Sequence, residues 1–205
     1  MELVKILPMY QKQYEQITDA LVNDGYVVIT DALEKKLPSA LLNEAKNEQD
    51  FKRAGISGLG DLHLDSNRRR DKIHWLSRSA DAQASFLDFA SGLQEYLNKE
   101  LYLGLSYYES HFAIYDKGAF YEKHLDSFKN SKNRVVTTVY YLNEDWTDND
   151  GGELVVYDED DNFLAKVKPD ANTLIVFMSE KFPHEVLPAK RKRYSIAGWF
   201  RIDKV

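Results

Sequence analysis

The chain has 205 residues, a formal net charge of −6 and no cysteine. That length suits one domain with a sizeable core. The acidic balance argues against a general binder of nucleic acid or anionic membranes, and the lack of cysteine excludes disulfides, thiolate metal sites and a cysteine nucleophile.

Met1–Pro8 lacks a secretory pattern, and no apolar run approaches the length of a membrane span. A cytoplasmic protein with neither nucleic acid nor membrane as partner is expected. Tyr14, Ile17 and Leu21 recur at helical spacing, with Gly25 as a stop. Tyr26–Thr30 reads as a strand between Gly25 and Asp31. Pro38 suits the first turn of a helix that would bury Leu41, Leu42 and Ala45. Gly55–Arg70, with Gly55, Gly58, Gly60 and the run Arg68-Arg69-Arg70, reads as a long mobile loop of the kind that forms lids. Lys72–Leu76 follows as a short strand. Ser79 would cap a helix reaching Leu101, with Phe86, Phe89, Ala90, Leu93 and Leu97 facing inward.

From Tyr107 the pattern turns to β: Tyr107–Tyr115, Phe120–His124, Arg134–Leu142, Glu153–Tyr157, Phe163–Val167, Thr173–Phe177, Glu185–Leu187 and Arg193–Arg201. Asp148–Gly152 and Asp158–Asn162 supply turns, the second including a short acidic cluster. Helices followed by many short strands predict an α+β fold in which helices support a jelly roll. We expect a single domain over residues 1–205, with helical support over 1–104 and the β core over 105–205.

His124-x-Asp126 on an extended segment places an imidazole and a carboxylate on one side of the chain, because side chains alternate. A third ligand from His184 would complete a two-His, one-carboxylate face around Fe(II) and leave the opposite face open. Taken alone, the triplet reads more readily as a surface-strand pair, and a lone histidine such as His184 is more often a satisfied structural residue. Arg193, nine residues beyond His184, could bind a dicarboxylate bidentately. It also sits in the basic run Lys190–Arg193, and such runs are usually solvated. Tyr141 could add a second hydrogen bond to the same carboxylate. The other histidines, His63, His74 and His111, have no comparable carboxylate-and-His spacing.

Four stretches then carry a resemblance: Tyr140–Trp146, Gly151-Gly152-Glu153-Leu154, Pro183-His184-Glu185-Val186, and Arg193-Tyr194-Ser195-Ile196 with Trp199. Together with Arg69–Trp75 upstream, they resemble the Fe(II)- and 2-oxoglutarate-dependent prolyl hydroxylases, most closely the oxygen-sensing type that modifies hypoxia-inducible factor. The compact chain is similar to bacterial members. The resemblance implies a double-stranded β-helix core and a dioxygenase that hydroxylates a prolyl residue of a protein, using Fe(II), 2-oxoglutarate and O2, with ascorbate as a further cofactor. By the same resemblance His124, Asp126 and His184 are the iron ligands, and Arg193 and Tyr141 hold the remote carboxylate of 2-oxoglutarate. Tyr115 and Leu154 line that pocket. Trp199 is an aromatic wall near the substrate, and Arg69 and Arg70 lie on the substrate side. Asp71 and Arg134 form a charge pair anchoring the mobile loop.

Similar bacterial proteins raise a translation elongation factor as substrate. Two departures bear on substrate identity: the Gly55–Arg70 loop has its own sequence, and the Asp126–Tyr141 stretch is one residue longer than expected. The rival readings are an oxygenase acting on another residue or a small metabolite, a catalytically silent jelly roll that binds metal or peptide, and a cupin-type metal enzyme. The sequence does not give an oligomeric state.

Overall fold

The computed structural model describes residues 6–58, 61–63, 67–127 and 133–203. Its elements run, in chain order, α1 (Gln11–Asn23), β1 (Tyr26–Ile29), α2 (Leu37–Asn47), β2 (Lys52–Arg53), β3 (Ile56–Gly58), β4 (Asp61–His63), β5 (Asp71–Trp75) and α3 (Asp81–Leu101). They continue with β6 (Tyr107–Tyr115), β7 (Tyr121–His124), β8 (Arg134–Tyr141), β9 (Leu154–Tyr157), β10 (Phe163–Val167), β11 (Leu174–Met178), β12 (His184–Val186) and β13 (Arg193–Arg201).

A seven-stranded antiparallel sheet has the order β1-β11-β8-β13-β6-β5-β2, and a four-stranded antiparallel sheet the order β10-β9-β12-β7. The central strands of the larger sheet are buried on both sides, and strand alternation decides what each face meets. On β13, Ile196 and Phe200 turn to the helices with Phe112 of β6 and Val136 and Tyr140 of β8. Tyr14 and Ile17 of α1, Leu41 of α2, and Phe86, Phe89, Leu93 and Leu97 of α3 cover that face. The opposite face meets the smaller sheet through Val139, Tyr141, Ile175 and Phe177 against Leu154, Val156 and Val186. This is the expected α+β jelly roll, with one addition: β1, β5 and β2 from the helical half extend the large sheet.

Local chemistry explains the element ends. Asp24 N and Gly25 N both donate to Ala20 O, at 2.8 and 2.9 Å, and Gly25 adopts φ 79°. A Cβ there would lie 2.9 Å from the Phe182 ring, so the stop needs glycine. Pro38 occupies the first turn of α2, as expected.

Two expectations are corrected. Ser79 is not the cap of α3, which follows Ala80 with no side-chain cap of its own. Its free amides are met from α2, where the Glu44 carboxylate accepts from Ala82 N (2.9 Å) and Gln83 N (3.2 Å). The Gly55–Arg70 stretch, expected as a long mobile loop without strands, contains the short antiparallel pair β3–β4. Gly60, the His63 side chain and part of the stretch after Asp126 (128–132) lie outside the described residues.

Candidate active site

His124 ends β7 and His184 begins β12, and the two are register partners across an antiparallel pair. Asp126 follows two residues beyond His124 and is buried. One ligand atom from each of the three lies within 4.8 Å of the others. His124 Nε2 is 3.7 Å from Asp126 Oδ1, and His184 Nε2 is 3.6 Å from Oδ2. Both Nδ1 atoms face backbone carbonyls, His124 that of Glu122 at 2.7 Å and His184 that of Phe182 at 3.0 Å. A carbonyl can only accept, so each Nδ1 carries the proton and each Nε2 offers its lone pair inward. Burial and then the neighbouring His184 hold His124 well below the usual imidazole range, which keeps it neutral. Thr137 Oγ1 donates to Asp126 Oδ2 at 2.9 Å and is itself 2.8 Å from Ser179 Oγ. This brace orients the carboxylate.

The three side chains open into a cavity of about 290 Å³ between the sheets. Arg193 lines it and is buried, at 1% exposure. Its register partner Tyr115 lies 4.9 Å below the guanidinium as a ring face, and the Tyr141 ring lies at 5.0 Å. Nη1 donates to Ser195 Oγ at 3.2 Å. Nε, Nη2 and the Tyr141 hydroxyl are buried without a hydrogen-bond partner, and among the described residues no carboxylate pairs with Arg193. A desolvated cation with unmet donors is costly unless an anion enters. Gly151 and Gly152 (φ 67° and 75°) let the chain pass close by: a Cβ at Gly152 would lie 2.8 Å from Ala189 Cβ and 3.3 Å from Arg193 Cδ.

These contacts are a test of fit. Two neutral imidazoles and a carboxylate suit Fe(II), and a buried fork of donors suits a carboxylate. Both lie in one cavity, whose wall also includes Leu154.

The substrate-side residues divide. Arg69 and Trp199 line the cavity, whereas Arg70 lies over the Phe120 ring and borders a separate cleft with Arg53 and Lys72. The expected Asp71–Arg134 pair is not formed. Asp71 takes Arg69 bidentately at 2.6 and 2.9 Å, because Arg69 sits two residues away and faces the same way. Arg134 instead meets Glu109 of β6 at 3.1 Å and covers the Trp199 ring at 3.8 Å. His111 lines the cavity but stands outside the ligand cluster. His74 is on the other face of β5, with Glu48 Oε2 3.3 Å from its Nε2.

Sequence reasoning passed over Thr137, Ser179 and Tyr121. Tyr121 stacks on His124 with centroids 3.6 Å apart, and Arg69 covers the same ring at 4.6 Å. The available signal for Thr137 was alternation: it shares the face of Val139 and Tyr141, where a hydroxyl among apolar residues asks for a partner.

The 2OG-Fe(II) oxygenase superfamily matches residues 110–201. Human Egl nine homolog 1 is 29% identical over 96% of this chain and 48% of its own length. Human prolyl hydroxylase EGLN3 is 31% identical over 72% of this chain and 62% of its own. The chain thus spans about half to two-thirds of these relatives. A solved prolyl-4-hydroxylase from Pseudomonas putida is 36% identical with a TM-score of 0.84, covering 93% of this chain and all of that one. A Trichoplax adhaerens prolyl hydroxylase, solved with a hypoxia-inducible-factor peptide fragment, shares the fold at a TM-score of 0.80 and 23% identity, over 94% of this chain and 90% of that one. With a full-length match to a 36%-identical prolyl hydroxylase and a donor set that fits the metal, the chain belongs to the prolyl hydroxylases of the 2OG-Fe(II) oxygenase superfamily.

Proposed function

We propose that this protein hydroxylates a prolyl residue of a protein substrate, consuming O2 and 2-oxoglutarate and releasing succinate and CO2. The observation that carries the reading is the co-location, in one cavity, of the His124–Asp126–His184 donor set and the partnerless Nε and Nη2 of Arg193, whose guanidinium lies 5.0 Å from the Tyr141 ring. His124, Asp126 and His184 would hold Fe(II), and Arg193 with Tyr141 would take the far carboxylate of 2-oxoglutarate, above the Tyr115 ring and beside Leu154. When bound, the iron and its co-substrate supply the activation of O2 that no side chain can provide.

The chain's own residues position and shield. Thr137 fixes the carboxylate, the backbone carbonyls of Glu122 and Phe182 fix the imidazole tautomers, and Tyr121 packs the exposed side of His124. Trp199 and Arg69 form the wall a target residue would meet. A single domain acting in the cytoplasm, with a translation elongation factor as a candidate partner, completes the proposal. Among the described residues no helix is long and apolar enough to cross a membrane.

The test is succinate release dependent on Fe(II) and abolished in His124→Ala. It is joined by mass spectrometry of cellular proteins with and without the gene, seeking one added oxygen on a proline. Succinate release that ignores iron, or that survives His124→Ala, refutes the reading.

A further inference from the structure

Among the described residues, four arginines and three carboxylates line the cavity, and their pairing is uneven. Arg69 is matched by Asp71, Asp126 is committed to the metal, and Arg193 awaits a dicarboxylate. Arg134 and Arg201 are left to share Glu109. Its Oε1 accepts from Arg134 Nε and Nη2 at 3.3 and 3.1 Å, and its Oε2 from Arg201 Nη1 at 2.8 Å. Among the described residues, two guanidiniums on one carboxylate leave one positive charge without its own carboxylate at this end of the cavity. Arg201 Nε is also buried with no hydrogen-bond partner.

Neither arginine is loose. Arg134 lies 3.8 Å over the Trp199 ring and Arg201 5.2 Å over the Tyr107 ring. The side chains of Arg134, Glu109 and Arg201 are only 20%, 20% and 18% exposed, so a carboxylate arriving here meets pre-oriented and largely desolvated donors.

Strand register places this end relative to the metal. Asp126 is bonded to Thr137, and Thr137 is the cross-strand partner of Trp199. Arg201 is the next residue on the same face of β13, about 7 Å further along. An extended substrate covers ~3.3 Å per residue, so its matching group falls within about three residues of the one at the metal.

We propose that Arg201, set by Glu109 beside Arg134, is a specificity residue that receives an acidic side chain of the substrate close to its target proline. This rests on the prolyl hydroxylase reading above.

The probe is a pool of synthetic peptides with a central proline in a Gly/Ser background. Each carries Asp, Asn or Lys at one position within about three residues of the proline. The full chain, loaded with Fe(II) and 2-oxoglutarate without O2, captures peptides in competition, and mass spectrometry reads their enrichment. We expect about tenfold enrichment of Asp over Asn at one position. Arg201→Gln should drop the ratio below about twofold, Arg201→Lys should keep part of it, and Arg201→Glu should favour Lys at that position instead. A ratio between peptides is independent of how much folded protein each variant supplies. The proposal is overturned if the wild-type protein enriches Asp nowhere, or if Arg201→Gln selects as the wild type does. Succinate release by the same wild-type preparation once air is admitted reports on the oxygenase reading separately.

Discussion

Arg193 is the residue whose surroundings argue most directly for a ligand. It is a buried guanidinium with two donor atoms unmet and, among the described residues, no carboxylate partner, an arrangement that costs stability unless an anion binds. Arg193→Met keeps much of the packing against Tyr115 and Tyr141 and removes the unmet charge. We expect the ligand-free variant to be at least as stable as the wild type, by up to about 1–3 kcal/mol, while 2-oxoglutarate no longer raises its thermal midpoint. A variant that is destabilised yet still stabilised by 2-oxoglutarate contradicts this assignment. Thr137 makes a second case, because its hydroxyl is the donor that holds Asp126 Oδ2. Thr137→Val is nearly isosteric and leaves the carboxylate unbraced. Fe(II) affinity, measured by titration under anaerobic conditions, should fall by about 10–100-fold as for other lost outer partners of metal ligands. Unchanged affinity would show that the bond to Thr137 does not orient the ligand.

Among the elements, α3 shows how one segment's chemistry is completed by another. Its first turn offers free amides, and Glu44, on α2, accepts from two of them. Glu44→Ala should cost about 1 kcal/mol in chemical denaturation, with 2-oxoglutarate affinity unaltered because α2 and α3 cover the sheet face away from the cavity. A loss below the error of the measurement would mean water caps the helix equally well. This element also marks the boundary of what the sequence discloses. The apolar face of α3 from Phe86 to Leu97 is periodic and therefore readable, but its cap comes from 38 residues upstream and leaves no local trace. The long strands β6, β8 and β13 are legible for the same reason as the helix face, since alternation is written into consecutive residues. The metal donors and Arg193 are legible only in combination, through the spacing of His124, Asp126, His184 and Arg193 and the resemblance of the stretches around them. The partner of Asp71 was not legible. Sequence places Arg134 and Arg69 on equal terms, and only the fold shows Glu109 taking Arg134. Likewise β2, β3 and β4 are two or three residues each, too short for any periodicity to register.

At the scale of the whole molecule, the cavity lies inside the sandwich, so groups that serve the site also bear on stability. His111 is the clearest titrating example outside the ligand set. It is 2% exposed, packed edge-on to Trp75 at 5.2 Å and near Trp199 at 5.5 Å. Burial first, then the charge of Arg69, pushes its imidazole down to about 4 from the usual 6.5, with Arg134 adding to the shift and Asp71 and a bond to the Phe112 carbonyl opposing it. The sign follows from which state takes the proton. Between pH 6.5 and about 4 the unfolded chain protonates this ring and the folded one refuses. Stability from this group is therefore complete above pH 6.5 and declines as pH falls to about 4, by on the order of 3 kcal/mol at ~1.4 kcal/mol per unit. His111→Leu removes that contribution and leaves the other titrating groups in place. The difference in unfolding free energy between wild type and variant, measured on metal-free protein by urea denaturation, should accordingly shift in the variant's favour as pH is lowered from 7 to about 4. Every other group shared by the two proteins cancels in that difference. A gap that stays constant over the window would mean that the buried imidazole accepts its proton in the folded state, and that the wall between Trp75 and Trp199 is wetter than its packing implies.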